Sequence, residues 1–523
     1  MIMNRIAEHE QQFYNELRAA ISNSDGSLLN LGQLLWYAYQ KFPDNVALIQ
    51  ADQAVTYKQL FYRASLFSQK LTAQGIKPRD RVLLFFENSI EFYIGYYAIV
   101  QLGAVVAPLN TFLKERELHH IITDSQPVLL VASTALLQKL VENNIDAQVP
   151  VLTEHDMDLT SAIDETICKP IPALLESKEM AALLYTSGTT GLPKGVMLSS
   201  KNILTNCIQT IARLGFVQDE RVFGVLPLFH SFAQFACVWA PFLMGCTVIL
   251  VPKIERRYIV EGLTHKPTMF IGVPALFGLL CLMKNAEVDS VNYFASGGDA
   301  MPDKIRAGFE LIYRRKIAAG YGLSETSPVL TADLDDTTEP TMNVGRPLIG
   351  ITIAIRNEQG QSLPDGQIGE IWVQGDNVML GYYNEPKKTA EVIKDGWFDT
   401  GDLGYIASHG KLIITGRLKD IIVNKGFKIY PQEIENVLLM HQNVMRAAVV
   451  GELDEATGEI AVAYVQVKDK QDGIEQALRE LCERNLAAYK VPRKFIIVTH
   501  NLPVTGTGKV DKKVLRKDLS QKV

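Results

Sequence analysis

From about residue 45 the chain alternates between two hydrophobic periods. VALIQ (46–50) is a short continuous apolar run. Thr56 and Gln59 then form a capping-box signature ahead of Leu60, Ala64, Phe67 and Leu71, four apolar positions on one helix face, and Gly75 supplies the stop. RVLLFF (81–86), AVVAPL (104–109) and PVLLVAS (127–133) repeat the apolar run, with one helix after Asn88 and Ser89 and another before PVLLVAS. The rhythm resumes in RVFGVLP (221–227), TVILVP (247–252), TMFIGVP (268–274) and VNYFAS (291–296). Strands that are apolar throughout and alternate with helices are covered on both faces. The pattern therefore predicts an α/β fold of stacked, mostly parallel sheets.

Two changes of pattern follow. From Gly350 the strands ITIAIRN (351–357) and GEIWVQG (369–375) come without long helices, which marks a small β-rich unit. Beyond GKLIITGRLKD (410–420), PQEIENVLLMH reads as a helix, RAAVVGE and EIAVAYVQV as strands, GIEQALRELCERNL as a helix and KFIIVTH as a strand. That is a compact α+β domain of about a hundred residues. A chain of 523 residues is too long for one core, so it is expected to divide into a large domain, 1–416, and a small one, 417–523. Residues 417–523 carry 18 basic and 14 acidic side chains, against 34 and 44 in the remainder. A basic cap over a polyanion fits this split, and so does an ordinary solvated surface.

Composition narrows the class further. With 47% hydrophobic and 21% charged residues the chain is a globular type, and a net charge of −6 without long basic runs argues against nucleic acid as the main partner. The segment MIMNRIAEHEQQFYNELRAA has acidic residues and no apolar core, unlike a secretory signal. Six cysteines form no C-x-x-C pair and read as free, mostly buried thiols of a reducing cytoplasm. Residues 222–252 carry no formal charge and are long enough to span a bilayer. Pro227, Pro241 and Gly245 interrupt them, so a buried strand–helix–strand segment is expected, with shallow contact with a membrane surface left open.

Four stretches offer chemistry. LYTSGTTGLPKG (184–195) packs glycines and hydroxyls ahead of Lys194, as a phosphate cradle would. It is not a P-loop, because Pro193 falls where the second glycine belongs and Gly195 follows the lysine. AAGYGLSETSP (318–328) sets Glu325, a hard oxygen ligand suited to Mg²⁺, beside Tyr321 and Ser324; a simple helix cap would look the same. WFDTGDLG (397–404) offers Asp402, which can accept from two ribose hydroxyls or serve as a turn aspartate, and Arg417 follows in GRLKD. PVTGTGKVDKKVLR (503–516) presents Lys509 after a glycine-rich loop. Other chemistries fail on spacing: His119 and His120 point apart on a helix, and no G-x-S-x-G elbow occurs.

Taken in order, LYTSGTTGLPKG, PLFHSFA, YGLSETSP, TGDLG, the run from GRLKD to GFKIYPQEIE, and GTGKV resemble the core motifs of the adenylate-forming superfamily, which includes acyl-CoA synthetases, adenylation domains and luciferases. The match spans nearly the whole chain. The resemblance implies that Thr186, Ser187, Gly188, Thr189, Thr190, Gly191 and Lys194 hold the pyrophosphate portion of ATP, and that Glu325 binds Mg²⁺. It further implies that Gly297, Gly298 and Asp299 line the adenine, with Tyr321 stacking on it beside Gly322 and Ser324. Ser324 stands where the family usually has threonine. Asp402 and Arg417 fit the ribose contacts, and Lys509 fits the lysine that bridges the carboxylate and the α-phosphate. By the same resemblance the small domain rotates about Lys419, bringing Gly426 and Phe427 to line a tunnel for CoA in a second pose.

The acyl pocket is expected to draw on Phe229, Phe232, Val273, Gly297, Val329 and Leu330, with His230 at the substrate entrance among the catalytic residues. No aspartate stands ready to pair an amino acid's ammonium, so a medium- to long-chain fatty acid is the first expectation. A coumarate-like aromatic acid is the alternative, as is a ligase that loads a carrier protein from a fatty acyl-AMP. A nucleotide-binding relic fits poorly with intact Lys194, Glu325, Asp402 and Lys509. Expected partners are thus a small carboxylic acid, ATP and CoA in the cytoplasm. Peripheral contact with the inner face of a membrane and homodimerisation stay open.

Overall fold

The computed structural model describes residues 2–23, 25–142, 149–158, 162–186, 192–283, 286–333, 342–425, 427–454, 458–504 and 510–521. Two sheets form the body. In the larger, the strands Val46–Gln50, Thr247–Leu250, Arg221–Gly224, Met269–Gly272, Tyr293–Ser296 and Ala318–Gly322 run parallel, flanked by antiparallel edges. The second centres on Arg81–Phe85, Val105–Pro108 and Leu129–Ala132, also parallel, and Met180–Thr186 continues it. One apolar core joins the layers between them.

Local chemistry explains the helices. Thr56 accepts from the Gln59 backbone N–H while the Gln59 side chain accepts from the Thr56 N–H, so the Tyr57–Ala73 helix starts on the expected reciprocal cap. Ser89 caps Ile90–Gln101 in the same region. The uncharged stretch 222–252 is a strand, a helical run and a strand inside the body, as expected. Its middle, Gln234–Trp239, is a turn of π-helix. The Tyr93 and Tyr97 hydroxyls donate to the carbonyls of Cys237 and Val238 at 3.0 and 2.5 Å, which satisfies groups that the wider turn leaves without regular partners. Among the described residues no helix is long and apolar enough to cross a membrane.

The small antiparallel sheet follows as Thr352–Arg356, Gly369–Gln374, Trp397–Ile406 and Leu412–Arg417. Arg417 is the last residue of that sheet; the 3₁₀ turn Leu418–Asp420 leads out of it. The C-terminal unit then has its own sheet and cores, with Val444–Asp454 and Gly458–Val467 as its long antiparallel pair. Helices that the pattern reading does not name include Ile2–Ala20, Leu31–Lys41 and Lys512–Gln521. The first and last are dominated by polar and charged residues, so their apolar stripe is thin. All six cysteines are free, four of them buried.

Candidate active site

The site lies where the C-terminal ends of the parallel strands meet the small sheet. Met180–Thr186 and Lys194–Ser199 form an antiparallel hairpin in which Thr186 pairs with Lys194. Residues 187–191, the glycine-rich tip carrying Ser187, Gly188, Thr189, Thr190 and Gly191, lie outside the described residues, as do Gly426 and Lys509. The hairpin base nevertheless aims Lys194. Its ammonium sits 4.7 Å over the centre of the Tyr382 ring.

Tyr382 in turn donates its hydroxyl to Glu325 Oε1 at 2.9 Å. A loop fixes this pair from both sides. Asn377 donates to the Thr326 carbonyl at 2.8 Å and the Met379 N–H donates to the Glu325 carbonyl at 2.9 Å. Asn202 and Lys201, on the helix after the hairpin, hold Asp376 and Val378. Burial raises the Glu325 carboxyl above its usual range, against the opposing pull of its own backbone amide, Tyr382, Lys194 and Arg417. Such a desolvated carboxylate gains most from a cation. Among the described residues no three His, Cys, Asp or Glu side chains cluster into a metal cage. Mg²⁺ needs none: it commonly sits on one or two carboxylates and takes the rest of its shell from phosphates and water, so Glu325 fits.

The second constellation is built across strands. Tyr321, on Ala318–Gly322, donates to Asp402 Oδ2 at 2.6 Å, and Asp402 Oδ1 pairs with Arg417 Nε at 3.2 Å. Asp402 and Arg417 face each other in the ladder between Trp397–Ile406 and Leu412–Arg417. Asp402 is therefore a buried strand residue, and the turn-aspartate reading is corrected. Burial alone would lower the Arg417 guanidinium, but Asp402, Asp420, Tyr321 and Asp299 outweigh it and hold it above its ordinary value. An ionised carboxylate has about four lone-pair sites, so Asp402 keeps acceptor capacity for further hydroxyls. Glycine is obligatory next to Tyr321: a Cβ on Gly322 would lie 1.7 Å from the Pro328 carbonyl oxygen.

Between these groups opens a largely apolar cavity. His230, Ser231 and Phe232 form one wall, Gly297 and Gly298 another, and Tyr321, Gly322 and Ser324 border its mouth. The Ser231 and Ser324 hydroxyls share a hydrogen bond at 2.9 Å, joining PLFHSFA to YGLSETSP. Gly298 stands at φ +80°, turning the chain out of the strand toward Asp299, whose carboxylate accepts from the Ala300 N–H at 3.0 Å. Of the residues expected in the acyl pocket, Phe232, Gly297 and Val329 line the cavity. Leu330 does not. Strand alternation sends it, fully buried, into the core between Val329 and Thr331, which face the cavity. Phe229 packs edge-on against Phe112, and Val273 lies 3.6 Å from where a Cβ on Gly298 would stand; neither is among the residues that line the cavity.

Beyond the turn, burial and the nearby Arg417 lower the Lys419 ammonium. Asp420 ion-pairs with Arg516 at 2.7 Å, which ties the last helix to the turn. Phe427 is exposed and stacks on Tyr489 with ring centres 4.9 Å apart. Sequence reasoning missed Tyr382, Ser231 and Asn377. Ser231 was legible as a hydroxyl inside PLFHSFA, whereas Tyr382 and Asn377 act only through strand pairing and loop closure.

Comparison with known proteins agrees with this geometry. Residues 35–383 match the family model of the AMP-binding enzyme, and residues 433–509 that of the AMP-binding enzyme C-terminal domain. The chain is 31% identical to a long-chain-fatty-acid–CoA ligase of Bacillus subtilis, over 92% of this chain and 93% of that protein. It is 32% identical to a feruloyl-CoA synthase of Amycolatopsis, over 91% and 96%. ATP-bound MatB of Rhodopseudomonas palustris superposes with a TM-score of 0.84 at 30% identity, covering 94% of this chain and 99% of that one. The o-succinylbenzoate coenzyme A synthetase of Bacillus subtilis, with ATP and a magnesium ion, reaches 0.81 at 28%, covering 93% and 99%. The chain thus belongs to the family of AMP-binding enzymes, as an adenylate-forming enzyme of the acyl-CoA synthetase type.

Proposed function

We propose that this enzyme joins a fatty acid to CoA in two steps, through an acyl-AMP. The observation that carries the reading is one cavity, apolar along its length, whose mouth is bordered by Tyr321 and Ser324 and lies beside Glu325 and the Asp402–Arg417 pair. An apolar tail and a triphosphate need those opposite environments in contact. A carboxylate and ATP repel each other and a carboxylate is a weak acyl electrophile, so the protein's main task is positioning and cationic screening. In this reading Lys194 and the hydroxyl-rich tip, from Thr186 to Gly191, hold the departing pyrophosphate. Asp402 and Arg417 hold the ribose, Gly297, Gly298, Asp299 and Tyr321 line the base, and His230 borders the acid. Glu325 would hold Mg²⁺, which screens the phosphate charge.

Lys509 would bridge the acid's carboxylate and the α-phosphate. Val504 and Val510 pair across the base of the loop that carries it, and Arg516 ties the following helix to Asp420, three residues past Arg417. That arrangement supports a lysine delivered with the small domain, whose boundary we place at 416/417 with the hinge at Lys419. Withdrawal of that domain would bring Gly426 and Phe427 to the CoA arm. We place the enzyme in the cytoplasm, with no membrane insertion needed for the chemistry.

The test is acid-dependent AMP release with ATP, Mg²⁺ and CoA across straight-chain and aryl acids. Straight-chain acids in the lead, with CoA thioester as product, support the reading. Turnover of aryl acids alone, or adenylate without thioester, overturns it in favour of an aryl-acid or carrier-loading ligase.

A further inference from the structure

Tyr293 and Ala295 share one face of the strand Tyr293–Ser296, Gly297 follows directly on its end, and all three line the cavity. Moving away from the nucleotide end, the wall thus carries no side chain, then a methyl group, then a phenol ring. The neighbouring strand adds the small residues Ala319 and Gly320, and the Phe232 ring lies against Gly297, so Tyr293 carries the largest side chain that its own strand puts into the lining. From Gly297 to Tyr293 is four residues of strand, roughly 13 Å, the length of an extended chain of about ten carbons.

The far end is also held rigidly. Thr210 and Leu214 face the cavity there from the helix Ser200–Leu214. Arg213 of that helix pairs with Glu10 of the first helix at 2.9 Å, with both side chains largely buried. It also donates to the carbonyls of Ala332, Arg346 and Pro347 at 3.0–3.3 Å. Arg213 and Asp333 both act electrostatically on the Tyr293 hydroxyl, which places the phenol near this braced network.

We propose that Tyr293 is the specificity-determining residue that closes the acyl cavity and limits the enzyme to acids of medium length. The inference rests on the fatty-acid reading above and adds its chain-length limit. The stop is steric: the ring occupies the volume that further methylenes would need, and every methylene given room gains roughly fourfold in binding.

Tyr293→Ala, Tyr293→Val and Tyr293→Phe separate the ring from its hydroxyl. The measurement is kcat/KM for AMP formation with saturated acids of graded length, beside thermal unfolding of each variant. The wild type is expected to peak near ten carbons and fall beyond. Tyr293→Ala should move the peak to longer acids and raise kcat/KM for those past the limit at least tenfold, while Tyr293→Phe leaves the peak in place. Tyr293→Val, which suits a strand, gives the same shift if the alanine variant does not fold. A folded Ala or Val variant with an unmoved peak overturns the proposal. Should the wild type accept only aryl acids, the fatty-acid reading has failed, and the stop is read instead on benzoates with 4-alkyl groups of rising length, where the same shift supports it and its absence overturns it.

Discussion

Glu325 is the residue whose surroundings decide most. Its carboxyl is half-buried among Tyr382, Lys194 and Arg417, and the loss of hydration raises its folded-state pKa above the ordinary 4.5. A raised carboxyl binds a proton in the folded protein at pH values where the unfolded chain has released it. Its contribution to stability is therefore present below pH 4.5 and is lost as pH rises through the raised value. Glu325→Gln is expected to unfold at a higher temperature than the parent at neutral pH, the gap closing toward pH 4, while adenylate formation falls by roughly 100-fold. Thermal unfolding against pH and a pyrophosphate-release assay read the two effects. Tyr382→Phe removes a hydroxyl that favours the ionised carboxylate, so the acidic limb of the pH–rate profile should move to higher pH. An unmoved limb would mean that Glu325 does not need to ionise for the reaction.

At the scale of elements, the site depends on strand register more than on loops. Asp402 faces Arg417 because two antiparallel strands pair them, and Tyr382 lies under Lys194 because Gly381–Tyr382 pairs with the hairpin strand at Met197 and Val196. A one-residue slip would send either partner to the other face. Helix caps far from the site act on stability alone. Thr56→Ala should cost about 1 kcal/mol in denaturant unfolding and leave kcat unchanged. A loss of activity without loss of stability would place the Tyr57–Ala73 helix in the functional machinery.

At the scale of the whole molecule, the small domain is joined to the body by its linker and by polar contacts that are mostly exposed. Lys304 donates to the carbonyls of Gln442 and Val444 at 3.1 and 3.2 Å, and Lys428 pairs with Glu358 at 2.6 Å. Exposed pairs contribute about 0–1 kcal/mol each, so these contacts add little to the hold of the small domain on the body. The double variant Lys304→Ala, Glu358→Ala should speed proteolysis near Leu418–Asp420 while the main unfolding transition stays in place. A lowered main transition would instead make these contacts part of the body's core stability.

The amino-acid order by itself determined the alternation of parallel strands and helices, the Thr56–Gln59 and Ser89 caps, the buried uncharged segment and the motif residues around the site. These follow from period and local hydrogen bonding, which reach only a few residues along the chain. Tertiary structure alone decided that Leu330 faces the core, that Asp402 is a strand residue tied to Tyr321, that Tyr382 stands between Lys194 and Glu325, and that Tyr293 lines the cavity. Each of those is a pairing between segments distant in sequence, set by register and packing across sheets, and no local pattern encodes which face or partner a side chain receives.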